Sequence, residues 1–200
     1  MLEQRIQQHF IDSADLKYQA AQALSQPIAA AIQAILACVT NGAKLLACGS
    51  GPSAALAQQL AAFCVTGFER ERPELAALAL VPDALWMASA TSGAGADIAA
   101  LARQVRALGQ AGDLLLVIAI AGNEPAMLEA VQAAHERDMT VVALTGRDGG
   151  ALATLLRETD VQICVPHDRA ARVREVHALV LHCLCDGVDA QLLGEQESLV

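Results

Sequence analysis

Aromatic residues are scarce in this 200-residue chain, which has one Trp, one Tyr and three Phe. A core built on stacked rings is therefore excluded. The apolar share of 54% is mostly alanine and leucine, which favours helices packed closely on a sheet in a single domain over residues 1–200. Basic charge is also short, with 13 Lys and Arg against 22 Asp and Glu for a formal charge of −9. A nucleic-acid footprint is excluded by that field, and a basic or neutral protein partner is easier to accommodate. No apolar run reaches the length of about 18 residues that spans a membrane. Glu3, Arg5 and His9 interrupt the first ten residues, which excludes a secretory leader and points to the cytoplasm. The cysteines, Cys38, Cys48, Cys64, Cys164, Cys183 and Cys185, form no C-x-x-C pair and read as small apolar residues kept reduced, not as a zinc or disulfide framework.

The most informative stretch is residues 44–53. Leu45, Leu46, Ala47 and Cys48 are an apolar run of the kind buried on both faces of a sheet. Gly49 and Gly51 then permit a sharp turn and close approach of a ligand, and Ser53 is placed to cap the next helix. Amide groups at such a helix start attract phosphate, but the same arrangement is an ordinary strand-to-helix turn.

In chain order, apolar spacing predicts a helix over residues 2–24. Pro27 begins a second one that carries Ile28, Ile32, Ile35, Leu36 and Val39 and ends at Asn41 and Gly42. These two leading helices, residues 1–42, have no place in an alternating sheet and are expected to pack on another subunit or an edge. A helix over 53–67 is broken by the charged stretch 69–73, and 76–81 reads as a strand. Asp83 is placed to cap a short helix with Leu85, Trp86 and Met87, and residues 91–95 are a flexible loop. A helix over 97–108 precedes the clearest buried strand, 114–120. Gly122 and Asn123 form a second strand-to-helix turn, with Pro125 in the first turn of a helix that ends near Asp138. Strands over 140–144 and 161–165 flank a loop at 146–150, a long helix covers 169–193, and the acidic tail 194–200 reads as mobile. The alternation implies a doubly wound, five-stranded parallel sheet with ligands at the carboxyl ends of strands where the winding reverses.

The motifs at 48–53, 121–123, 144–150 and 172–177 resemble those of the sugar isomerase (SIS) domain proteins, which have a flavodoxin-like sheet order. Residues 71–73, 104–109, 137–146 and 182–186 are similar to the branch that holds phosphoheptose isomerase and the DnaA initiator-associating protein. The resemblance implies a homotetramer. For the isomerases it further implies a zinc site and an acid–base pair acting on sedoheptulose 7-phosphate. At the matching positions the ligand His and catalytic Glu are Gln59 and Phe63, the Gln of the final-helix motif is Arg174, and only His182 remains. His182 is thus either the surviving base or a packed residue, and zinc is not expected.

The phosphate loops are altered too. Gly49, Ser50, Gly51, Ser53, Gly122 and Asn123 are what is left of the phosphosugar-binding set, with Ser50 in place of the usual Asn. The serine-rich second loop has become Ala119 to Glu124, and Gly93 and Ala94 replace an Asn and Asp. Glu124 at about 4 Å would repel phosphate by roughly 4 kcal/mol per pair of unit charges at an effective dielectric of about 20. These losses, with Leu192 and Leu193 where the DnaA initiator-associating protein carries a partner-binding pair, favour a non-catalytic adaptor for DnaA. Leu192 and Leu193 also read as the last packed helical turn. The alternatives are a phosphoheptose isomerase relying on His182 and a regulatory phosphosugar-binding protein.

Overall fold

A computed structural model describes residues 1–81 and 96–194, with backbone alone at 96 and 97. The helix expected from Asp83, the loop at 91–95 and the tail beyond Gly194 lie outside the described residues. The chain opens with one helix, α1 (Leu2–Thr40), and not two. Pro27 lies inside it. A helical proline orphans the carbonyl four residues back, here that of Ala23, which is exposed and open to water. Leu16, Ala20, Leu24, Ala31, Ile35 and Cys38 carry one buried stripe past the proline, so tertiary packing outweighs the local break. The apolar residues nearer the start are uncovered within the chain, with Leu2 73%, Ile6 48% and Phe10 75% exposed.

β1 (Leu45–Gly49) leads through a 3-10 turn (Gly51–Ser53) into α2 (Ala54–Thr66), and β2 (Ala77–Ala79) follows. Next come α3 (Ala96–Leu108), β3 (Leu114–Ile118) and α4 (Pro125–Glu136). β4 (Thr140–Gly146), α5 (Gly150–Leu155), β5 (Val161–Val165) and α6 (Ala170–Leu193) complete the chain. The strand order is β2-β1-β3-β4-β5, all parallel, as the alternation implies.

The period of two along the strands divides the core. Leu45, Ala47, Leu114, Leu116 and Ile118 face α1, α2 and α6, while Leu46, Cys48, Leu115 and Val117 face α3 and α4. By length and apolar content α1 and α6 would suffice to cross a bilayer. The apolar face of α6 lies instead against the sheet and α1. All six cysteines are free, and burial pushes the Cys48 thiol up to about 12.

One buried ion pair ties the elements together. Arg72 and Asp189 have side chains only 2% exposed, and Arg72 Nε donates to Asp189 Oδ1 at 2.5 Å. The same guanidinium donates to the carbonyls of Phe63 and Cys64 at the end of α2. Removing one partner would leave a buried, unpaired charge. Asp189→Ala is therefore expected to destabilise the chain by about 3–5 kcal/mol, read from the urea unfolding midpoint.

Candidate functional site

Two loops leave the carboxyl ends of neighbouring strands, where Gly49 of β1 lies opposite Ile118 of β3. The strand order reverses at this pair, which is where open parallel sheets accept ligands. Gly49, Ser50, Gly51 and Ser53 occupy the first loop and Gly122 and Asn123 the second, so the sheet brings the six residues singled out in the sequence to one edge.

The first loop is folded by its own backbone. Ser50 N–H donates to Ile118 O and Ser53 N–H to Ser50 O, each at 3.0 Å. A Cβ on Gly49 would overlap the carbonyl oxygen of Ser53, so no larger residue fits the turn. Ser53 does not cap α2 as expected. Its backbone is already helical (φ −72°, ψ −13°), whereas a capping serine needs an extended backbone to reach the following amides. Its hydroxyl is instead buried with no hydrogen-bond partner.

The second loop is pressed against the segment after β4. Gly122 has φ +72°, and a Cβ there would overlap the Gly149 carbonyl oxygen. Asn123 Oδ1 accepts the Ala151 N–H at 2.9 Å, and Gly122 O accepts the Leu152 N–H at 2.9 Å. Asn123 thus holds the first turn of α5, a short helix that begins at the last residue of the loop expected over 146–150 and that no sequence pattern announces.

Glu124 folds back over the loop that precedes it. Its Oε1 accepts N–H groups from Ile120 at 3.0 Å and Ala121 at 3.2 Å, with the Ser50 hydroxyl at 3.5 Å. Burial pushes this carboxyl up, but the amides of Ala121, Glu124, Ile120 and Asn123 together outweigh it and hold it below its ordinary range. It is therefore a carboxylate at neutral pH.

On the α2 and α6 side, Phe63, Phe68 and His182 form one cluster. Phe68 stacks on the imidazole at 5.3 Å between centroids, and Phe63 meets it edge-on at 6.0 Å. Gln59, one turn before Phe63, is exposed, and Arg174 has a buried Nε with no partner. Among the described residues no three His, Cys, Asp or Glu side chains are grouped to hold a metal. His177 is a separate, fully buried histidine whose Nε2 lies 3.0 Å from the Thr145 carbonyl oxygen, locking α6 to β4. Leu192 and Leu193 are 36% and 40% exposed and line a groove with Arg72, Pro73 and Leu75.

The SIS domain family matches residues 8–146. The phosphoheptose isomerase of Methylibium petroleiphilum is 60% identical over 198 residues, 98% of each chain. The structure of phosphoheptose isomerase GmhA from Neisseria gonorrhoeae superposes with a TM-score of 0.85 at 45% identity, covering 95% of this chain and 100% of that one. A phosphoheptose isomerase from Francisella tularensis gives 0.86 at 39% identity, covering 94% of this chain and 98% of that one. These similarities overturn the expectation of a non-catalytic DnaA adaptor, because the relatives that match along the whole chain are named as isomerases. The Leu192 and Leu193 pair that supported the adaptor already has neighbours within the chain, in the groove with Leu75.

Burial lowers the His177 pKa from 6.5 to about 4, outweighing its bond to Thr145. The folded state thus holds a neutral ring where the unfolded chain binds a proton. Its contribution is complete above pH 6.5 and is lost as pH falls towards 4, on the order of 3 kcal/mol in all. Urea midpoints measured across that window are expected to rise with pH, and less steeply in His177→Gln.

Proposed function

This chain belongs to the SIS domain family, in its phosphoheptose isomerase branch, and from that membership we propose that it is a phosphoheptose isomerase acting on sedoheptulose 7-phosphate. The observation that carries this reading is the 60% identity that extends over 98% of both this chain and a phosphoheptose isomerase.

Exchange between ketose and aldose moves one proton between adjacent carbons through an enediolate. It needs an acid–base group within hydrogen-bond reach and a donor for the oxyanion. His182 is the side chain assigned to the proton, its ring oriented by Phe68 and Phe63. Gln59, on the same face of α2 one turn earlier, offers amide N–H groups to the sugar oxygens. The phosphate is assigned to the start of α2, where the buried Ser53 hydroxyl lacks a partner and the helix dipole favours an anion. The zinc that the family resemblance implies does not fit these side chains. Phe63 has no donor atom, Arg174 is a cation, and His182 alone falls short of the usual three protein ligands. Proton transfer is accordingly assigned to protein groups.

A second reading, a phosphosugar-binding protein without turnover, is favoured by the Phe63 ring standing where the family's carboxylate would be. Self-association, as a homotetramer in the cytoplasm, is proposed with either reading and is supported by the exposed apolar face of α1 around Phe10.

Purified protein is expected to convert sedoheptulose 7-phosphate, and His182→Ala to lower kcat/KM about 100-fold or more. No turnover, together with a rise in Tm on adding the sugar phosphate, would select the second reading. Light scattering after size exclusion is expected to give a tetramer for the native chain and a smaller species for Phe10→Asp.

A further inference from the structure

Just beyond β3, Ile120 and Ala121 direct amide N–H groups into the turn before α4, the arrangement that elsewhere seats an external anion. Here a side chain of the protein fills it. We propose that Glu124 is the resident anion of this second loop, closing it to the phosphate of a bound sugar and confining that phosphate to the first loop at the start of α2. Three donors converge on one oxygen: the Ile120 amide at 3.0 Å, the Ala121 amide at 3.2 Å and the Ser50 hydroxyl at 3.5 Å. The second oxygen, Oε2, is buried and has no partner, so the carboxylate also occupies the volume that further oxygens of a phosphate would need. Among the described residues no Lys, Arg or His pairs with Glu124, so its charge is met by neutral donors of the loop and not by a cation. An external phosphate would have to displace an anion already bonded there and approach a like charge while doing so. The occupied loop adjoins the first one directly, because Ser50 hydrogen-bonds to Ile118 by its amide and to Glu124 by its hydroxyl. Glu124 is in this sense a specificity-determining residue that sets where an anion can enter.

The inference concerns the site assigned above to sedoheptulose 7-phosphate, yet it is read by anion binding alone and so stands or falls separately from turnover. Inorganic phosphate is titrated into native protein and Glu124→Ser, followed by calorimetry and by the backbone amide resonances of Ile120 and Ala121. Glu124→Ser is expected to bind phosphate at least tenfold more tightly than the native chain. In the native chain the Ile120 and Ala121 resonances are expected to stay in place as phosphate is added. Equal binding by the two proteins, including no binding by either, would overturn the proposal. Movement of the native Ile120 and Ala121 resonances at phosphate concentrations that saturate binding would overturn it too, and this measurement decides the matter if the variant does not fold.

Discussion

Backbone N–H groups just past the carboxyl end of a buried parallel strand must find acceptors, and after β3 those of Ile120 and Ala121 share a single carboxylate oxygen. Much of the functional edge follows from that requirement. The β1–β3 register places Ser50 beside Ile118, so the first loop lies within reach of the oxygen that satisfies Ile120 and Ala121. Gly122 then turns the chain at positive φ, close under Gly149, and Asn123 reaches across to the first turn of α5. Two loops and a short helix are held in one rigid stack by hydrogen bonds that mostly involve backbone. A cradle assembled in this way keeps its shape when its side chains change.

This explains why the frame is legible in the sequence and the site only partly so. The period-two apolar runs of β1 and β3, the glycine turns after them and the long apolar repeat of α6 are local signals, and each element forms where its pattern predicts. Pro27 is a local signal too, but the covered stripe on both sides of it outweighs the break. The α5 helix is only six residues long and begins among glycines, so periodicity has nothing to register. Its amide is held by Asn123, a contact across 28 residues that no neighbouring residue announces. Glu124 is visible in the sequence as an acid at a helix start, but its direction is not. The carboxylate turns away from its own helix and towards the strand before it.

The aromatic cluster around His182 carries a related lesson. Gln59, Phe63 and Arg174, taken residue by residue, depart from the side chains that the family resemblance implies for metal chemistry. Extending that departure to a change of biological role goes further than three positions can support. Identity of 60% across the whole chain keeps the protein in the phosphoheptose isomerase branch. Local replacement and global similarity describe different things: the first describes which atoms meet the sugar, the second which frame presents them.

The shortness of β2 bears on how the protein behaves in crowded solution. It stands at the end of the strand order, and among the described residues its registered pairs with β1 are Ala77 to Ala79, with one further hydrogen bond on either side at Ala76 and Leu80. Pro73 shortly before it cannot donate a ladder hydrogen bond, and the buried Arg72 pins the approaching chain to α6. A strand this brief offers too few backbone groups to template a foreign one. At its β2 edge an otherwise apolar parallel sheet is thereby a poor nucleus for edge-to-edge aggregation.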